Sequence, residues 1–207
     1  MQKLLIATTN IGKFGEIKEV IGDLDFDLYH LHFEDFAKDM EADDFDETGD
    51  TFEENAEQKA VHYHELFGMP TIGEDSGIIV DALKGELGVK TRRWGAGANA
   101  TDEEWIEHFM KVMEGRELRT ARFVCCAAFI DGPAEVVMFR GETEGEITHE
   151  LDAPLMPGIP LSSCFRPKGC DKVYSALSEN EKNKLSHRGK AFHELKNHLL
   201  TCFRKSL

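Results

Sequence analysis

The chain has 207 residues, 41% hydrophobic and 30% charged, which is the composition of a globular protein with a real hydrophobic core. Its net charge of −15 argues against a protein that grips a nucleic-acid backbone over a broad surface. No apolar run approaches the roughly 20 residues that a membrane-spanning helix needs, and the N-terminus lacks the pattern of a secretory signal. The five cysteines have no zinc-type spacing, so we expect one cytoplasmic domain over residues 1–207 with reduced, mostly buried thiols.

The N-terminal segment predicts a strand, a turn and a helix. Lys3–Thr8 is a short apolar run, Thr9–Gly12 is a small and polar turn, and the helix that follows opens with Lys13. A helix N-terminus presents free backbone N–H groups and a positive dipole end, which favours an anion site here. The alternative is an ordinary strand-to-helix turn with a surface lysine, because the glycine-rich lysine loop of nucleotide triphosphatases is absent.

A second helix follows an acidic region. After a predicted strand near Asp27–His32 and the acidic segment Glu34–Asp50, a helix is expected to start at Thr51, with glutamates in its first turn. Lys59 on this helix could point toward the same cleft as Lys13, and a solvated lysine is the default alternative.

The stretch Thr71–Ala82 carries the most unusual pattern in the chain. Glu74, Asp75 and a serine lie at the edge of a predicted buried strand, and Gly73 and Gly77 flank them, which predicts a sharp turn and a close approach of other groups. Adjacent carboxylates are costly to bury without a partner, and magnesium is the usual one because it also brings phosphate oxygens. An acidic turn exposed to water is the alternative.

The second half of the chain mixes helices and strands. The predicted elements are a helix capped by Thr101, an antiparallel hairpin of Arg119–Ile130 and Glu135–Glu142, a further strand within Gly145–Leu151, a proline-rich loop over Asp152–Pro167, a short helix capped by Ser178 and a last helix from about Arg188. Together with the N-terminal elements, they predict a mixed α/β domain with two lobes around a cleft.

Ten short motifs occur in a specific order along nearly the whole chain. They are Ala7–Lys13, Glu16-Ile17, Glu47–Ala56, Lys59-Ala60, Gly73–Gly77, Gly88-Val89, Arg93, Phe165–Gly169, Glu181–Asn183 and Ser186–Gly189. Each motif is weak alone, but in this order and spacing they are specific. The chain therefore resembles the inosine triphosphate pyrophosphatase family, which hydrolyses noncanonical purine nucleoside triphosphates.

This resemblance implies a fold, a reaction and a set of site residues. The expected fold is an elongated α/β homodimer whose mixed sheet has flanking helices and a central cleft, and the expected reaction is magnesium-dependent hydrolysis of ITP, dITP or XTP to the monophosphate and pyrophosphate. The expected triphosphate ligands are Thr8, Thr9, Asn10, Lys13 and Lys59. The other residues expected to bind the substrate are Ser76, Ile159, Leu161 and Ser162. The expected catalytic and metal-binding residues are Asp75 as general base and metal ligand, Glu47 or its neighbour Asp46 as metal ligand, and Lys13 and Glu74. The residues expected at the base and sugar end are Lys182, His187 and Arg188.

One segment departs from the family pattern. The family carries a Gly-Phe-Gly-aromatic-Asp-Pro stretch whose aromatic rings sandwich the purine, whereas Gly158–Cys164 here contains Ile159, Leu161 and Ser162. Stacking of a base on an aromatic ring is worth roughly 1–3 kcal/mol, so the base preference is expected to differ. The alternatives are the same reaction on another modified or standard nucleotide, and a nucleotide-binding protein with little turnover. Trp94 is interpreted as a core or interface residue, or as a replacement for the lost stacking.

Overall fold

The computed structural model describes residues 2–32, 45–97, 99–133 and 135–203. Within these residues, six strands form a single sheet in the order β2-β1-β3-β4-β5-β6. The strands are β1 (Gln2–Ala7), β2 (Phe26–His30), β3 (Thr71–Val80), β4 (Thr120–Ile130), β5 (Val137–Ile147) and β6 (Phe165–Pro167). β1 runs parallel to β2 and β3, and the remaining neighbours are antiparallel. The mixed sheet confirms the predicted α/β class.

Five α-helices accompany the sheet in the part of the chain described. They are α1 (Ile11–Ile21), α2 (Phe52–Phe67), α3 (Asp102–Met113), α4 (Glu179–Leu185) and α5 (His187–Phe203). Thr51, Thr101 and Ser178 each form a capping box with the glutamate three residues later, which confirms the predicted starts of α2, α3 and α4. None of these helices has the length and apolar character needed to cross a bilayer.

The helices divide the interior into cores at two ends of the sheet. Alternate residues of β4 face α2 on one side and α1 with α5 on the other. Beyond this layered region, the far ends of β3 and β4 build a separate core with α3, which includes Trp105, Phe109 and Ile78. The predicted division into two lobes is confirmed, and β3 passes from one core to the other.

The predicted sharp turn around the acidic pair is wrong, because β3 is one continuous strand from Thr71 to Val80. The glycines serve close packing instead. A Cβ on Gly73 would lie 2.1 Å from the carbonyl oxygen of Ala56 on α2, and one on Gly77 would lie 2.4 Å from the carbonyl oxygen of Gly88. The predicted close approach is therefore confirmed, with protein backbone as the approaching group.

The hairpin is confirmed, but its second strand is longer than predicted. β5 continues through Gly141 and Gly145 to Ile147, so the strands expected at Glu135–Glu142 and within Gly145–Leu151 are a single strand. A Cβ on Gly141 would lie 2.0 Å from the carbonyl oxygen of His187. This glycine lets α5 pack closely on the sheet and does not end the strand. The short strand β6 lies in the segment predicted to be an irregular loop.

Candidate active site on strand β3

Glu74 is the anchor of a buried ion cluster. Its side chain is 1% exposed, its Oε2 lies 2.8 Å from Nζ of Lys13, and its Oε1 accepts from Nε and Nη2 of Arg188 at 3.2 Å each. Burial alone would raise the pKa of this carboxyl, but attraction by Lys13 and Arg188 outweighs burial and holds the pKa well below its ordinary range. Glu74 is therefore ionised, and both of its oxygens are occupied by cations.

Asp75 points to the opposite face of β3, because successive side chains on a strand alternate. Its Oδ2 accepts from Nδ2 of Asn55 on α2 at 3.0 Å. Lys59, one helical turn after Asn55, donates to the backbone carbonyl of Glu74 at 3.0 Å and forms an ion pair with Glu47. Burial, reinforced by the charge of Glu47, raises the pKa of Asp75 against the opposing effect of Lys13 and Lys59.

The turn before α1 is organised by its own side chains. Asn10 is the N-cap of α1, and its Oδ1 accepts from the backbone N–H of Lys13 at 3.0 Å. Thr8 is buried and its Oγ1 accepts from the N–H of Asn10 at 3.1 Å, whereas Thr9 is exposed. The four residues lie together at the helix N-terminus beside Glu74, and their binding of a triphosphate stays a prediction.

A second carboxylate, Glu16, holds the residues expected at the base end. One of its oxygens pairs with Nζ of Lys182 and the other with Nη1 of Arg188. Nη2 of Arg188 also donates to Oγ of Ser76 at 2.8 Å. Glu16 belongs to a sequence motif, but sequence reasoning gave it no role in the site. Its spacing of three residues from Lys13 on one helix face was the signal that could have found it.

His187 is packed rather than presented to the cleft. Its imidazole is 5% exposed and stacks on Phe123, with ring centroids 4.7 Å apart and planes 17° apart. Its Nδ1 is buried with no hydrogen-bond partner among the described residues. Burial lowers the pKa of this imidazole well below its ordinary value, and the neighbouring charge of Arg188 adds to the effect, so the ring is neutral.

The structure separates the three residues of the altered loop. Ile159 lies beside the first turn of α1, where its Cγ1 would be 3.5 Å from a Cβ on Gly12. Leu161 and Ser162 are each 5% exposed, and Leu161 belongs to the core around α3. The structure therefore does not bring Leu161 and Ser162 to the open part of the site, because a short 3-10 helix over residues 160–163 turns them inward.

Trp94 packs against α3. Its ring lies 6.3 Å from that of Trp105 and 6.2 Å from that of Phe109, measured between centroids. These contacts agree with the interpretation of Trp94 as a core residue.

The residues around Asp75 fit a magnesium ion that arrives with phosphate oxygens. Across residues 2–32, 45–97, 99–133 and 135–203, no three or more His, Cys, Asp and Glu side chains are grouped to hold a metal alone. Asp75 and Glu47 are nonetheless close enough for the charge of Glu47 to raise the pKa of Asp75. One or two carboxylates completed by substrate phosphates are the usual magnesium site in enzymes that act on nucleotide phosphates. Glu74 does not fit this role, since its oxygens are held by Lys13 and Arg188.

Comparison with known proteins identifies the family. The model of the Ham1 family matches residues 4–198, which is most of the chain. The chain belongs to the Ham1 family. This membership confirms the resemblance carried by the sequence motifs.

Relatives of this Ham1 protein match it over nearly their full length. A dITP/XTP pyrophosphatase of Aquifex aeolicus is 36% identical over 208 residues, covering 97% of this chain and 98% of that protein. One of Geobacter sulfurreducens is 37% identical over 202 residues, covering 96% and 97%. A solved HAM1 protein of Coxiella burnetii superposes with a TM-score of 0.79 at 32% identity, covering 97% of this chain and 100% of that one. The Ham1 protein of Staphylococcus aureus gives 0.78 at 30% identity, with 97% and 99% coverage.

Proposed function

We propose that this Ham1 protein hydrolyses noncanonical purine nucleoside triphosphates, namely ITP, dITP or XTP, to the monophosphate and pyrophosphate with magnesium. The observation that carries the proposal is the arrangement on β3, where two adjacent acids face opposite sides. Glu74 gathers Lys13 and Arg188, and Asp75 lies next to Glu47 and Lys59. The cations that would bind the triphosphate and the carboxylate that would activate the nucleophile thus lie around the same strand. The activity of its relatives, named dITP/XTP pyrophosphatases, supports the same reaction.

The residues supply the parts that phosphoryl chemistry needs. Asp75 orients a water molecule and takes its proton as the water oxygen attacks the α-phosphorus, and the bond from the α-phosphorus to the bridging oxygen breaks. Lys13 and Lys59 stabilise the negative charge that develops on the departing pyrophosphate. A magnesium ion held by Asp75 and Glu47 together with the phosphates would neutralise the triphosphate and help to orient the nucleophile.

The catalytic roles of the two acids differ in this proposal. Glu74 was expected to complete an acidic group around the metal, but its contacts favour a role as the fixed counter-charge that positions Lys13 and Arg188. Asp75 carries the proton transfer, because its raised pKa makes it a better proton acceptor than an ordinary aspartate. Arg188, Lys182 and Ser76 extend the cluster toward the base and sugar end.

A different base preference is the second candidate function. Ile159 lies beside the first turn of α1, and Leu161 is buried in the α3 core, so neither supplies an aromatic face for a purine. This placement favours the same hydrolysis of another modified or standard nucleotide. If turnover is absent, a nucleotide-binding role remains, because the ion pairs of Glu74 and Glu16 with Lys13, Lys182 and Arg188 involve no residue of the altered loop.

The test is pyrophosphate release from a panel of standard and deaminated ribo- and deoxyribonucleoside triphosphates with magnesium. Asp75→Asn is compared with Glu144→Gln, a surface control whose partner Lys168 is also exposed. Release from ITP or XTP that is lost only in Asp75→Asn supports the proposal. Release confined to another nucleotide supports the second candidate, and no release from any nucleotide refutes the hydrolase proposal.

We also propose that the protein acts in the cytoplasm as a homodimer, with residues 1–207 forming one domain and no nucleic-acid or membrane partner. The family resemblance supports the dimer, and the charge of −15 supports the lack of a nucleic-acid partner. Light scattering after size exclusion tests the dimer, since a monomer mass of 23.3 kDa at micromolar concentration would contradict it.

A further inference from the structure

The backbone of Gly158 is held from both sides by polar side chains. Its carbonyl oxygen accepts from Nδ2 of Asn10 at 2.8 Å, and its N–H donates to Oδ2 of Asp102 at 2.6 Å. Asn10 is the N-cap of α1, and Asp102 is the first residue of α3. One residue of the loop therefore bridges the N-termini of two helices that belong to the two lobes.

The loop around Gly158 packs on the turn before α1 so closely that only glycines fit at the contact. Gly158 has a φ of +76°, which favours glycine, and a Cβ there would lie 2.5 Å from Oδ1 of Asn10. A Cβ on Gly12 would lie 2.4 Å from the carbonyl oxygen of Pro157. The loop thus rests directly on the first turn of α1, the turn that carries Lys13.

Asn10 links this loop to the ion cluster. The same carboxamide that donates to Gly158 accepts from the N–H of Lys13, whose ammonium is held by Glu74. Asn10 is also fixed to its own turn and to α1 by Thr8 and by the N–H of Lys13, so it is a firm support against which Gly158 is docked. Asp102 holds the other side of Gly158 with a charge-assisted hydrogen bond, which is stronger than one between neutral groups.

We propose that Asp102 is a positioning residue for binding of the base. By holding Gly158, Asp102 keeps the loop after Gly158 against the turn before α1, which carries the expected triphosphate ligands. The position of this loop in turn sets how tightly the base is bound. This inference rests on the proposed function for its substrate. Losing Asp102 leaves Lys13, Glu74 and Asp75 untouched but releases the far side of Gly158. Nucleotide binding should weaken, whereas binding of a triphosphate without a base should not.

The experiment compares Asp102→Ala with Asp102→Asn, which keeps an acceptor oxygen, and with Glu103→Ala. Glu103 is an exposed acid in the same first turn of α3, so it controls for the loss of charge near the helix N-terminus. We measure kcat and KM for the best nucleotide and the dissociation constant of inorganic tripolyphosphate by calorimetry. Asp102→Ser is the second breaking variant should Asp102→Ala not fold.

Asp102→Ala should raise KM for the nucleotide about tenfold, the expected effect of losing one hydrogen bond to a charged group, with kcat changed less than about threefold. Its affinity for tripolyphosphate should match that of wild type, Asp102→Asn should recover most of the loss, and Glu103→Ala should behave as wild type. An unchanged KM, or equal losses for nucleotide and tripolyphosphate, would overturn the inference.

Amide hydrogen exchange gives a readout that needs no turnover. The Gly158 N–H should exchange about tenfold faster in Asp102→Ala than in wild type or Glu103→Ala, because its acceptor is gone. Equal exchange rates would also overturn the inference. A wild-type protein that hydrolyses no nucleotide would refute the proposed function, while the exchange rate of the Gly158 N–H still decides whether Asp102 holds the loop.

Discussion

Replacing Glu74 by glutamine tests whether this residue is the anchor of the ion cluster. The substitution keeps the size of the side chain and removes its charge, so that Lys13 loses its partner while Arg188 keeps Glu16. Removing one partner of a buried ion pair costs about 3–5 kcal/mol, because the remaining charge is left uncompensated. The side chain of Lys13 is 20% exposed and partly solvated, which places the expected cost near the lower limit of about 3 kcal/mol.

The assay is urea unfolding at pH 7 together with thermal unfolding. For a chain of this length, about 3 kcal/mol corresponds to a decrease in Tm of roughly 6–12 °C. Glu144→Gln is the matched control, since it breaks a pair with Lys168 in which the two side chains are 64% and 78% exposed. Such a surface pair contributes about 0–1 kcal/mol. A Glu74→Gln variant no less stable than Glu144→Gln would refute the role of Glu74 as anchor.

The pH dependence gives a second check with a definite sign. Because the pKa of Glu74 is depressed in the folded protein, its stabilising contribution is complete above the unfolded value of 4.5 and is lost as the pH falls toward the folded value. The difference in unfolding free energy between wild type and Glu74→Gln should therefore shrink by about 1.6 kcal/mol from pH 4.5 to pH 3. A difference that stays constant over this range would contradict the depressed pKa.

A pair of glycines, the His187 ring and the Asp75 carboxyl each give one further test. Gly73→Ala should lower the free energy of unfolding by at least about 2 kcal/mol, because the new Cβ would lie 2.1 Å from the backbone of α2. Gly15→Ala should raise the free energy of unfolding by about 0.5–1 kcal/mol, because nothing lies within 4 Å of its Cβ and alanine favours a helix. Urea unfolding measures both, and equal effects of the two substitutions would refute the reasoning. His187→Phe should flatten the loss of stability between pH 7 and pH 5, because the unfolded imidazole binds a proton near pH 6.5 that the buried ring does not; unchanged slopes would show that another group titrates. In metal-free protein, the Asp75 carboxyl should titrate above its ordinary pKa of 3.8 when followed by carbon NMR, and a midpoint at or below 3.8 would contradict the effect of burial.

Local rules in the sequence were enough to predict most elements of the fold. The capping boxes at Thr51, Thr101 and Ser178 marked helix starts correctly, because a cap depends on side chains three residues apart. The errors included the sharp turn predicted at Gly73 and the gap predicted between Glu142 and Gly145. Gly73 and Gly141 lie inside long strands because helices pack directly on their backbones, a contact between distant segments that no local pattern records.

The residue types of the site could likewise be predicted from the sequence, because its acids and lysines occur in motifs with a specific order. Its geometry was decided by tertiary structure. Strand alternation sends Glu74 toward Lys13 and Arg188 and sends Asp75 toward Asn55, so two neighbouring acids have opposite electrostatic surroundings.

The remaining assignments depended on contacts between segments that are distant in the sequence. Glu16 holds Arg188 from 172 residues away, and Asn10 holds Gly158 from 148 residues away. The inward turn of Leu161 likewise follows from packing in the α3 core. The sequence by itself therefore determined which chemical groups the protein has, the family of the protein and most of its helices and strands. Only the folded sheet decided which charges meet, because burial and pairing are properties of the whole chain.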